Sequence, residues 1–85
     1  MKFTIFSKDG CPYCTKTEQV LQLAKLDYEV QKLNRDYTKE DFYLKFGKGS
    51  TFPQVVLTEE KSITETKVIG GCSETVRYLK ENNLV

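Results

Sequence analysis

The sequence predicts an α/β domain: a four-stranded mixed sheet with helices on both faces, in the order β-α-β-α-β-β-α. Three observations carry that expectation. A β-branched and aromatic run opens the chain at "KFTIFS", helical spacing takes over at Pro12, and two strand-like runs separated by a charged connection precede a last amphipathic segment. With 85 residues, one domain spanning 1–85 is expected, burying roughly 60–65% of its unfolded surface.

Residues 2–7 are apolar on both faces through Phe3, Ile5 and Phe6, as expected of a strand inside a covered sheet. From Pro12, whose missing N–H costs nothing in a first helical turn, Cys14, Thr17, Leu21 and Ala24 recur at spacings of three and four; this helix is expected to end near Lys25 or Leu26. "DYEVQKLN" (27–34) alternates like a half-exposed edge strand. Thr38 as N-cap, Asp41 three residues on, Phe42 and Phe46 four apart and Gly47 as a stop define a second, short helix. "PQVVLT" (53–58) and "TKVIGG" (66–71) read as a hairpin across "EEKSITE", a connection longer than a tight turn whose tip is expected to point away from the cysteines. In the last helix Ser73 is the expected N-cap, with Glu74 in the first turn and Arg77 and Lys80 later, the sense that complements the helix dipole. The first strand-helix-strand unit implies a parallel pair joined by a right-handed crossover.

A net charge of +1 with 39% apolar and 29% charged residues argues against a disordered or nucleic-acid-wrapping chain. The opening apolar run is too short for a signal peptide, and no stretch approaches the roughly 20 apolar residues of a membrane span. A cytoplasmic monomer with no membrane or nucleic-acid partner is expected. The absence of histidine removes Cys-His hydrolases and imidazole bases from consideration.

Chemistry concentrates at "GCPYC". A Cys-x-x-Cys at a strand-to-helix junction sets the first sulfur beside free N–H groups at the positive end of the helix dipole, where a thiolate is stabilised. Cys11 is then the exposed nucleophile and Cys14 its buried partner, with Lys8 adding positive charge. Zinc is the strongest competitor from the motif alone, but structural zinc wants four Cys or His ligands and the chain has three cysteines; no metal ion is expected. A structural disulfide would close a very small loop and remove little chain entropy. Inert buried thiols fit badly with a loop that opens a helix.

With these residues in view, the chain resembles the dithiol glutaredoxins. "CPYC" is that family's active-site motif, "TFPQVV" is similar to its Thr-x-Pro segment, and "IGGCSE" resembles its glutathione-binding Gly-Gly segment, in the family's order. The resemblance implies a thioredoxin-like fold with a cis bond before Pro53. It also implies a glutathione site in which Phe52, with Thr51 beside it, pairs with the cysteinyl moiety. Gly71, Cys72, Ser73 and Glu74 would hold the γ-glutamyl end, Tyr13 would line the groove, and Lys8, assisted by Lys45 or Lys48, would meet the glycyl carboxylate. Cys72 reads as a small residue beside the ligand rather than a catalytic one.

The implied activity is thiol-disulfide exchange on glutathione mixed disulfides and protein disulfides, with glutathione as co-substrate, no tightly bound cofactor, and ribonucleotide reductase among candidate substrates. Two alternatives stand beside it. A glutathione-independent thioredoxin-like redoxin shares the motif but lacks "GGCSE"; an iron-sulfur carrier shares the fold but generally has glycine or serine where this chain has Pro12.

Overall fold

In the computed structural model, which describes residues 2–58 and 66–84, the chain forms β1 (Lys2–Ser7), α1 (Pro12–Leu23), β2 (Tyr28–Lys32), α2 (Lys39–Phe46), β3 (Gln54–Thr58), β4 (Thr66–Gly70) and α3 (Cys72–Glu81). The strands lie in the order β2-β1-β3-β4. β1 runs parallel to β2 and antiparallel to β3, and β3 is antiparallel to β4. The mixed sheet and the edge position of β2 match the sequence reading. The expected path of the 59–65 tip lies outside the described residues.

Alternation along β1 builds the two layers. Phe3 and Ile5 point to one face and join Val55, Leu57, Leu21 of α1 and Leu79 of α3 in a fully buried core. Phe6 points to the other face, edge-on to Phe46 of α2 at 5.2 Å and to Tyr37 at 5.3 Å. Phe42 extends this second cluster by stacking on Phe52 at 4.2 Å. On the same face, away from these rings, the Thr4 hydroxyl and Lys2 ammonium both donate to Glu29. α2 therefore covers mainly the end of the sheet where β1 leads toward Cys11.

Two helix ends and the end of one strand differ from expectation. α1 stops at Leu23, earlier than residues 25–26, because Lys25 takes a left-handed φ of 57° and the Lys25 and Leu26 N–H groups turn back to the carbonyls of Gln22 and Leu21. Leu26 then packs onto the core. α3 closes by the same device at Asn83 and Leu84. β2 is shorter than 27–34, because after Lys32 the Asp36 carboxylate accepts from the Lys32 N–H and the chain turns through Asn34 at φ 67°. The third correction concerns the N-cap of α3, which is Gly71 and not Ser73: the Gly71 carbonyl accepts from both the N–H and the hydroxyl of Thr75. Ser73 consequently lies inside the first turn. At α2 the Thr38–Asp41 capping box forms as expected.

Candidate active site

Gly10, at φ 71°, makes the left-handed turn that ends the β1 loop and delivers Cys11 to the N-cap of α1. Pro12 occupies the first helical position. The Cys11 sulfur accepts from the Cys14 backbone N–H at 3.3 Å, and the Cys11 carbonyl accepts from the Thr15 N–H at 3.3 Å. Cys14 sits on the buried face, 3% exposed, whereas Cys11 is only half-buried. The two are joined as a disulfide, with Cα atoms 5.3 Å apart. The more exposed sulfur thus sits at the start of the helix, with the other on the buried face one turn below.

One cleft holds the pair and a second adjoins it through Lys8. The first, about 350 Å³, is lined by Cys11, Cys14, Pro12 and Thr15 together with charges of both signs, Lys8, Asp9, Glu18 and Lys32. Asp9 and Lys32 neutralise one another at 3.2 Å. The second, about 380 Å³, runs beside Thr51 and Phe52 and is lined also by Lys8, Leu33, Lys39, Tyr43 and Ser50. Lys8 belongs to both. Its ammonium lies 5.2 Å over the Phe52 ring, which links the cysteine loop to the segment before Pro53.

The Phe52–Pro53 peptide is cis, as the family resemblance implies, and Pro53 is buried. Gly71 lies beside it: a Cβ there would stand 3.5 Å from the Pro53 carbonyl oxygen, an ordinary van der Waals contact. Gly70, at φ 123°, lies beneath the Glu74 side chain, whose Cβ would be 2.9 Å from a Cβ at this position. Segments 8–14, 51–53 and 70–74 therefore converge at one end of the sheet. Cys72 is buried at the start of α3, while Ser73 and Glu74 are exposed there. Tyr13 projects into solvent, 63% exposed.

Of the two other lysines named from the sequence, Lys45 lies over the Phe6 ring at 5.2 Å and Lys48 is exposed beyond α2. Neither lines the Phe52 groove. Lys39 does, and sequence reasoning missed it; the available signal was the pair Lys39 and Tyr43, four apart after the Thr38 cap and hence on one helix face. Among the described residues no three His, Cys, Asp or Glu side chains are grouped to hold a metal ion, and no helix is long and apolar enough to cross a membrane.

Tyr37 fixes the site from behind. Its hydroxyl donates to the Ser7 carbonyl at 2.6 Å, four residues before Cys11. Burial, with a smaller contribution from the Asp36 charge, pushes its phenol up to about 12.

A protein-family model described as Glutaredoxin matches residues 3–62. A glutaredoxin of Haemophilus influenzae is 32% identical, over 95% of this chain and 93% of its own. Among solved structures, reduced Escherichia coli glutaredoxin superposes with a TM-score of 0.77 at 25% identity, covering 100% of both chains. A buckwheat glutaredoxin–glutathione complex superposes with a TM-score of 0.70 at 21% identity, over 96% of this chain and 71% of that one.

Proposed function

Because the chain belongs to the glutaredoxin family, and is therefore a thiol-disulfide oxidoreductase, we propose that it draws its electrons from glutathione and acts on glutathione mixed disulfides and protein disulfides through Cys11 and Cys14. The observation that carries the reading is the Cys11 sulfur at the N-cap of α1, accepting a backbone N–H. A hydrogen bond to the charged form, together with the helix dipole, favours the thiolate.

In the monothiol route the Cys11 thiolate attacks the glutathionyl sulfur of a mixed disulfide. The substrate sulfur leaves as a thiolate and takes up a proton, and Cys11 becomes glutathionylated. A second glutathione thiolate attacks that glutathionyl sulfur, forming glutathione disulfide and freeing Cys11. For a protein disulfide, Cys14 attacks the Cys11 sulfur of the intermediate instead; the substrate leaves as a dithiol and Cys11–Cys14 closes. The buried position of Cys14 suits a thiol that meets only intermediates already attached to Cys11.

Several features support a glutathione site. With Gly71 as N-cap, Cys72, Ser73 and Glu74 are the first three helical residues, whose N–H groups lack partners within the helix and suit the γ-glutamyl carboxylate. Glu74 is available to the ligand's ammonium group. The Phe52 backbone, next to cis-Pro53, offers strand-like pairing to the cysteinyl moiety, with Thr51 lining the groove, the exposed Tyr13 free to turn toward the ligand from the cysteine side, and Lys8 as the cation for the glycyl carboxylate. Gly71 lies beside the Pro53 carbonyl, which sets the start of α3 next to the segment before the cis bond. A reducing cytoplasm suits this chemistry, since its thiol pool regenerates the dithiol. Ribonucleotide reductase remains a candidate substrate.

Glutathione-coupled reduction of a small mixed disulfide tests the reading. Turnover saturates with glutathione and is abolished by Cys11→Ser; equal turnover with a thioredoxin reductase and no glutathione would overturn it.

A further inference from the structure

The two clefts that share Lys8 differ in electrostatic character, one balanced and one positive. On the α1 side, two lysines are balanced by Asp9 and Glu18, with the Asp9–Lys32 pair closed at 3.2 Å. The Phe52 groove holds Lys8 and Lys39 and, among the described residues, is lined by no carboxylate. Among the described residues neither lysine has a salt-bridge partner; their ammonium groups instead rest over aromatic faces, Lys8 at 5.2 Å from Phe52 and Lys39 at 5.6 Å from Tyr43. Such packing orients a cation without neutralising it. Lys39 is also the first residue of α2, where the helix dipole disfavours a positive charge. Its stacking on Tyr43 is the contact within α2 that favours lysine here.

We infer that the Lys8–Lys39 groove selects protein disulfides by an acidic residue flanking the target cysteine, with Lys39 as a specificity-determining residue of the dithiol route. When a peptide segment brings its disulfide to Cys11, a Glu or Asp side chain beside the attacked cysteine enters the groove and meets both ammonium groups. Two cations in a concave site bounded by apolar rings focus the field more than a solvated surface lysine does. The chemistry is unchanged: Cys11 and Cys14 give up two electrons and two protons to the peptide disulfide and close their own bond. The inference rests on Cys11 as the attacking thiol but not on glutathione as the electron donor.

Single-turnover experiments without glutathione test it. The pre-reduced protein is mixed with three short peptides, each containing one intramolecular disulfide flanked by Glu, Gln or Lys. The wild type is expected to reduce the Glu peptide about 3–10-fold faster than the Gln peptide and the Lys peptide more slowly, with the spread shrinking at high salt. Lys39→Gln brings the Glu-to-Gln ratio toward unity and Lys39→Glu inverts it. A merely structural role for Lys39 would slow all three peptides alike. Equal rates for the three peptides with the wild type, or a ratio that both Lys39 variants leave untouched, overturn the inference. Because no glutathione is present, failure of the glutathione reading would leave these rates unaffected.

Discussion

The Cys14 backbone N–H donates to the Cys11 sulfur at 3.3 Å, so this part of Cys14's support for the nucleophile comes through an atom that no side-chain substitution removes. Cys14→Ser is therefore expected to keep most deglutathionylation activity, which under the proposed mechanism needs only Cys11 and glutathione. Reduction of protein disulfides by the dithiol route is lost. Assaying both activities on one preparation checks this, and comparable loss of both would count against the division of labour.

Lys8 is exposed and partly screened by water, whereas the N–H groups at the start of α1 are fixed. Lys8→Ala should shift the pH profile of Cys11 alkylation by iodoacetamide only slightly, while raising the KM for glutathione several-fold. A large displacement of the alkylation profile with an unchanged KM would assign Lys8 to thiol activation and remove it from the ligand site.

Gly70 combines a φ of 123° with a space that Glu74 already fills. Gly70→Ala must strain the backbone and push the Glu74 Cβ, so a loss of about 1–3 kcal/mol in denaturant unfolding is expected. Gly71→Ala should cost less, because its φ is −84° and the nearest atoms to the new Cβ lie 3.5 Å away. Equal destabilisation by the two substitutions would refute this account.

Tyr37 links stability to alkaline pH. Its folded-state value, about 12, lies above the ordinary 10, so the folded protein holds the phenol proton more tightly than the unfolded chain. That contribution is fully present below pH 10 and is lost as pH rises from 10 to 12. Tyr37→Phe should be less stable than the wild type at pH 8 by about 1 kcal/mol, through loss of the bond to Ser7. The gap should then narrow by about 1 kcal/mol toward pH 12, less than the nominal linkage because water partly screens the phenol. Urea unfolding of both proteins at pH 8 and near pH 12 measures the difference, and a constant gap would exclude the linkage.

Elements defined by near neighbours were legible in the sequence. The Thr38 capping box, the Cys14, Thr17 and Leu21 stripe and the strand character of 2–7 depend on residues within a turn or two of one another, and the structure bears them out. Helix ends were less legible: a left-handed Lys25 carries no strong compositional signal, and Gly71 displaced Ser73 as cap through a bond made by Thr75. The cysteine pair was readable because its chemistry lies within four residues. What the lysines do was not, since 13 lysine and arginine residues look alike along a chain. Packing of the α2 aromatic rings beneath Phe6 and Phe52 decided that Lys39 enters the groove while Lys45 lies over Phe6. A lysine's role is set by which faces and charges surround its ammonium group in space, and those neighbours come from segments dozens of residues apart.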